Sequence, residues 1–319
     1  MLNPAVQPGP NEVATDPFGA LASLLELPGI TDLVVNGPEV WFDRGNGLER
    51  FGAPLGEPTE TLIRRLISAG GRHIDEVTPI ADVQVGDFRV HAVLPPIARS
   101  GPALSIRKHR SAPRTLDELC DSGTFSNTIR NRLRCAVADG ERILISGSTG
   151  AGKTTVLRAL LAEVRPELRI VSIEDVGELR LPGRHLVQLE TRQPNIEGMG
   201  AIGMSELIRA ALRMRPDWLV VGECRGAEIG LFLSALNTGH AGAGTIHANA
   251  LDAVPARLES LGALAHIPTA DLARQVASAF DLVVHLEQRS GRRRCTGIAR
   301  FLITAGRLSC ELETRDACE

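Results

Sequence analysis

The sequence predicts an α/β protein in two parts: a larger C-terminal domain on a mainly parallel sheet, preceded by a smaller α+β domain. From residue 142 to 160 the chain reads RILISGSTGAGKTTVLRAL, an apolar strand running through a glycine-rich turn straight into a helical pattern. From Leu116 onward strand-like apolar runs alternate with helical periodicity, the pattern of a sheet covered on both faces. Residues 17–110 instead mix short strands, helices and tight turns, and a chain of 319 residues is long enough for two cores.

Residues 1–16 are proline-rich with little apolar periodicity and read as a flexible leader. Residues 18–27 have helical spacing, and 31–35 and 39–43 read as strands parted by the turn Asn36, Gly37, Pro38. A helix over 59–69 is stopped by Gly70 and Gly71. Alternating strands at 80–85 and 88–93 join at Gly86 and Asp87, and a third follows at 103–107. Residues 111–115 form the linker, because Pro113 turns its predecessor away from helix and apolar periodicity restarts only at Leu116. The second domain, 116–319, places strands at 142–146, 168–173, 218–221, 244–246 and 282–285, then two more strands and a polar end. In the helix around residues 204–212 an apolar stripe leaves Arg209 and Arg213 together on another face, where a solvated surface is the default.

Composition excludes several classes. The net charge is −3, aromatic residues make up 3% and Tyr is absent, so nothing suggests a basic, aromatic-bearing channel for nucleic acid. The dense basic run Arg292 to Arg294 follows Ser290 and Gly291 between apolar segments and reads as a solvated hairpin tip. The six cysteines form no CxxC pair, which gives neither a zinc site nor a disulfide framework. No apolar run reaches membrane-spanning length and the start lacks a signal pattern, so no transmembrane segment is expected.

The chemistry gathers around the glycine-rich turn. Gly147, Ser148, Thr149, Gly150, Ala151, Gly152, Lys153 and Thr154 complete GxxxxGK[ST] in strand–turn–helix context, with Thr155 following. Such a loop curls backbone N–H groups around phosphates at a helix N-terminus. Lys153 would reach the β and γ oxygens, and the Thr154 hydroxyl would hold Mg²⁺. Only Lys108 and Lys153 are lysines, the other 33 of the 35 basic residues being arginine, so an ammonium is specifically required at 153. Two acidic groups close apolar strands: Glu174 with Asp175, and Glu223 after Gly222. Residues just past strand ends face the ligand crevice of an α/β sheet, so either carboxylate can activate water while the other serves the metal. In NTGHAGAGTIHAN, His240 and His247 stand seven apart across a glycine-rich turn and a short strand; structural histidines and phosphate sensors both remain open there.

These segments, in this order, resemble the type II/type IV secretion ATPase superfamily. GSTGAGKTT is similar to its Walker A, SIEDVGEL to its Asp box, RMRPDWLVVGECRG to its Walker B with Glu in place of Asp, and NTGHAGAGTIHAN to its His box. ITDLVVNGPEVWFD and FRVHAVLPPIARSGPALSIRKH resemble the N-terminal domain of the CpaF/TadA-like branch, which serves tight-adherence pili. The resemblance implies a RecA-like P-loop ATPase domain and a homo-hexameric ring motor that hydrolyses ATP with Mg²⁺. It would work at the cytoplasmic face of the inner membrane, on a membrane platform protein, to drive pilus assembly or secretion. It also implies roles: Glu174 as general base, Glu223 as Mg²⁺ and water ligand, His240 and His247 as γ-phosphate sensors, and Arg89 and Arg107 as arginines that reach the nucleotide. The zinc element of some pilus-extension relatives is absent. A nucleic-acid motor on the same core fold is the alternative, and a nucleotide-binding scaffold without turnover is a third.

Overall fold

The computed structural model describes residues 16–108, 114–194, 197–289 and 292–315, and the chain divides into two compact units, Met1–Arg110 and Ser111–Glu319. Most of the expected leader, most of the linker, and Ser290 with Gly291 at the expected hairpin tip lie outside the described residues.

In the first unit the helical reading over 18–27 shrinks to α1 (Ala22–Leu25) behind a single 3₁₀ turn, because Gly19 takes a left-handed φ of 50°. Strands β1 (Asp32–Asn36), β2 (Glu39–Asp43) and β3 (Leu48–Phe51) precede α2 (Thr59–Ala69), and β4 (Ile80–Val85), β5 (Phe88–Val93) and β6 (Ala103–Lys108) follow it. They pair antiparallel in the order β3-β2-β1-β6-β5-β4. Strand β3 escapes the sequence reading because its residues alternate in no apolar pattern: three of its four side chains are exposed at the sheet edge. Period-two alternation buries Leu33, Val35, Ala81, Val83, Val90, Ala92, Leu104 and Ile106 with Leu62, Ile63, Leu66 and Ile67 of α2. The opposite sheet face therefore carries Asp32, Asp82, Arg89 and Arg107.

The second unit contains α3 (Leu116–Asp121), α4 (Asn127–Ala138), β7 (Ile143–Gly147), α5 (Lys153–Glu163), β8 (Ile170–Glu174), β9 (Leu186–Glu190) and α6 (Met204–Ala211). It continues through β10 (Trp218–Val221), α7 (Glu228–Asn237), β11 (Ala241–His247), α8 (Val254–Leu264), α9 (Thr269–Ala279), β12 (Leu282–Arg289), β13 (Arg292–Thr304) and β14 (Arg307–Arg315). The sheet order is β14-β13-β12-β7-β11-β10-β8-β9, parallel from β12 to β9 and antiparallel at β13 and β14. Because the central strands are covered on both sides, they read as continuous apolar runs: Ile143 and Ile145 pack with α4 and α5, while Leu144 belongs to the core formed by α6, α7, α8 and α9. Strand β9 has no such run and was not visible in the sequence; it is a half-exposed edge.

The glycine-rich stretch before His247 is a strand rather than a turn followed by a short strand. Gly242 and Gly244 both face α7, where a Cβ would stand 2.7 Å from Leu236 Cδ2 and 2.7 Å from Phe232 Cε1, respectively. Their spacing of two is packing, since the helix lies too close to admit a side chain. Gly244→Ala is therefore expected to cost about 1–3 kcal/mol, as overpacking does. Urea unfolding followed by Trp218 fluorescence in a Trp41→Phe background measures it, and adding Phe232→Leu should recover part of the loss.

Candidate functional site

Parallel register delivers the expected chemistry to one sheet edge. Gly147 ends β7 opposite both His247 at the end of β11 and Leu286 of β12. Glu174 ends β8, whose Ile173 pairs with Val221, the last residue of β10, and Glu223 follows two residues later. The carboxyl ends of four strands thus meet where an α/β sheet binds its ligand.

The loop between β7 and α5 has the shape of an anion cradle. Gly150 and Gly152 take left-handed φ values of 78° and 98°, open to glycine at no steric cost, and a side chain on Gly147 would collide with the Leu286 carbonyl. Lys153, the first residue of α5, is buried, and its Nζ donates to the carbonyls of Gly147 and Ser148, both at 2.9 Å. Those bonds put the ammonium inside the loop, where phosphate oxygens would accept from it. Burial lowers the Lys153 pKa from the ordinary lysine range; Glu223 opposes that shift and Arg225 adds to it. Thr154 and Thr155 follow in the first turn of α5.

From the lysine a chain of contacts crosses the site. Nζ lies 3.1 Å from His247 Nδ1, and His247 Nε2 lies 2.5 Å from Glu223 Oε1. An ammonium only donates, so Nδ1 accepts and the imidazole proton sits on Nε2, the nitrogen nearer the carboxylate. Burial lowers the His247 pKa; Glu223 raises it, and Lys153 and Arg225 lower it further, which favours this neutral tautomer. Glu223 Oε2 then accepts from Arg225 Nε at 2.8 Å and Nη2 at 2.5 Å, and Arg225 Nη1 stands 3.6 Å from Asp175 Oδ2.

Glu174 is the buried carboxylate of the group. Backbone N–H groups of Glu178 and Leu179 donate to its Oε1 at 3.1 and 3.2 Å, and Leu179 N–H reaches Oε2 at 3.2 Å. Burial pushes its pKa up to about 7, those hydrogen bonds pull it down, and the charges of Glu178 and Glu190 raise it. Its aliphatic part lies against the main chain just after β10: a Cβ on Gly222 would stand 2.8 Å from Glu174 Cγ. A carboxyl poised near neutrality can take a proton from water at physiological pH.

Other expected residues stand elsewhere. His240 precedes β11, and seven residues of extended chain at about 3.3 Å each carry it to the far end of the strand from Gly147. There Nδ1 contacts the Ala235 carbonyl at 3.1 Å and Thr238 Oγ1 at 3.2 Å, which caps the end of α7. The structure therefore does not bring His240 to its own phosphate loop. Arg89 and Arg107 lie directly opposite each other on β5 and β6, and each faces a carboxylate: Arg89 Nη2 is 2.6 Å from Asp82 Oδ2, and Arg107 Nε is 2.8 Å from Asp32 Oδ1. Arg209 and Arg213 are exposed.

Two participants were missed. Arg225 sits inside the quoted GECRG segment, but only the fold shows that it spans Glu223 and Asp175. The β12–β13 hairpin leans on the cradle near its turn: a Cβ on Gly150 would stand 3.0 Å from Gln288 Oε1, and one on Gly152 3.3 Å from Arg293 Cδ. The arginine run marked that hairpin without showing where it packs.

The profile of the family described as "Type II/IV secretion system protein" matches residues 76–318. A Mycobacterium tuberculosis protein named for conjugal transfer is 44% identical over 302 residues, covering 91% of this chain and 86% of its own. The type IV secretion system protein PtlH of Bordetella pertussis is 35% identical over 316 residues, covering 88% and 92%. The pilus retraction motor PilT with bound ADP superposes with a TM-score of 0.61 at 20% identity, covering 93% of this chain and 82% of that one. The Legionella pneumophila ATPase DotB gives 0.60 at 19%, covering 87% and 78%, and at these identities both show a shared fold.

The buried Glu174 gives a linkage prediction. Its folded pKa of about 7 lies above the ordinary 4.5, so the native state holds a proton that the unfolded chain releases as pH rises between those values. Stability attributable to this group is present below pH 4.5 and lost above about 7, by an amount on the order of 3 kcal/mol. Urea unfolding from pH 4.5 to 8 should show Glu174→Gln gaining on the wild type as pH rises.

Proposed function

The chain belongs to the type II/IV secretion system protein family, and we propose that it is an ATP-hydrolysing motor that powers secretion or pilus assembly by domain motion. The observation that carries the reading is the convergence of the Lys153 ammonium, Glu174, Glu223 and His247 at one sheet edge beside a glycine cradle. Lys153 exchanges its two loop carbonyls for the β and γ oxygens of ATP. Thr154 and Glu223 fit Mg²⁺, since a hydroxyl and a carboxylate are the oxygen donors that ion takes; when bound it neutralises charge on the phosphates. Glu174, held by two backbone N–H groups, accepts the proton of the attacking water. His247 senses the γ-phosphate through Lys153: when the ammonium turns to phosphate, Nδ1 loses its donor and the contact with Glu223 is reset. Arg89 and Arg107 bring positive charge to the phosphates, a task that requires each guanidinium to leave its carboxylate.

The assembly proposed is a head-to-tail homo-hexamer acting on a platform protein at the cytoplasmic face of the inner membrane. Among the described residues no helix is long and apolar enough to cross a membrane, so anchorage in this reading comes from the platform partner. Resemblance in the first unit points to a tight-adherence pilus, whereas names among the relatives point to conjugal transfer and type IV secretion. A nucleic-acid motor is not favoured, given the net charge of −3 and the scarcity of aromatic residues.

Lys153→Ala should abolish nucleotide binding by calorimetry. Glu174→Gln should bind as the wild type does and lose at least about 10²-fold in phosphate release, as removal of a general base does. Wild-type turnover should rise with pH through about 7 as Glu174 ionises. Fast turnover in the glutamine variant would move the base role to Glu223, and DNA-stimulated hydrolysis with salt-sensitive DNA binding would favour the nucleic-acid motor.

A further inference from the structure

Glu223 is the end of one carboxylate chain and the start of another. Its Oε1 faces His247 Nε2, and its Oε2 takes two N–H bonds from the guanidinium of Arg225. An oxygen that accepts a forked pair of charge-assisted bonds has no free direction in that plane for the water shell of a cation. Arg225 and a hydrated divalent ion therefore compete for the same atom. The guanidinium also has a second acceptor in reach, Asp175 Oδ2 at 3.6 Å from Nη1. Its backbone, by contrast, is fixed: the amides of Arg225 and Gly226 donate to Glu228 Oε1 at 2.6 and 2.7 Å. The side chain is about half exposed, so it can swing between the two carboxylates without moving the main chain.

We propose that Arg225 is a positioning residue of the site: it holds Glu223 against the approach of a hydrated divalent cation and transfers to Asp175 when that cation binds with nucleotide. The inference rests on the nucleotide and Mg²⁺ reading above. It makes the cation affinity of the site adjustable by a residue that touches neither the cradle nor the proposed base. A planar fork suits this role, because a point-charge ammonium would hold one oxygen less firmly and in no fixed plane.

The test is Mn²⁺ binding to the full chain with saturating ADP, read from the loss of the free-ion signal in electron paramagnetic resonance, with thermal midpoints measured alongside. Arg225→Gln should bind Mn²⁺ about threefold or more tightly, Arg225→Lys should fall between it and the wild type, and Asp175→Asn, which removes the charge of the alternative partner, should bind more weakly. Thermal midpoints should stay close to that of the wild type. Equal or weaker Mn²⁺ binding in Arg225→Gln, with a lowered thermal midpoint, would mean that the arginine is structural and would overturn the proposal. If the wild type binds no Mn²⁺ with ADP beyond what Lys153→Ala binds, the nucleotide reading itself fails and takes this one with it.

Discussion

A buried ammonium governs the second unit. Taking a positive charge out of water is costly unless every donor finds an acceptor and a counter-charge stands near. Lys153 meets that demand with the carbonyls of Gly147 and Ser148, with His247 Nδ1, and with Glu223 behind the imidazole. Those partners come from β7, β11 and the end of β10, so the compensation exists only while three strands keep their register. The same lysine that suits a phosphate thus fixes how the sheet edge is assembled.

The first unit solves the reverse problem. Cross-strand pairing sets Arg89 against Arg107, and like charges in that position destabilise a sheet. Asp82 and Asp32 offset the repulsion on the face away from the α2 core. The two arginines are thus held side by side, each by a carboxylate of its own sheet.

Much of this was legible in the sequence because its cause is local. The strand before the loop is an unbroken apolar run buried on both faces, and the glycines, Lys153 and Thr154 stand at fixed spacing. Glu174 and Glu223 were legible for the same reason: each closes a buried strand. What escaped depends on register and close approach. The edge strands β3 and β9 have no apolar alternation, since edges need little burial. Gly242 looked like part of a turn before a strand at 244–246, because glycine at a helix–strand contact and glycine at a bend are the same letter. His240 and His247 were grouped by motif, yet an extended strand separates its ends by its whole length. Arg225 carried no signal of its own, since its meaning lies in which two carboxylates the folded chain sets beside it.

Helix α7 is clasped at two places that belong to the same line of charges. At its first turn Glu228 holds the amides of Arg225 and Gly226. Along its flank Leu236 and Phe232 pack onto Gly242 and Gly244 of β11, the strand that ends in His247. At those two positions no side chain of β11 stands between strand and helix, and only Gly226 and Ala227 separate Arg225 from the helix. A helix of ten residues is thus tied, by main-chain hydrogen bonds at one end and by close packing along its flank, to two points on the line between Lys153 and Asp175.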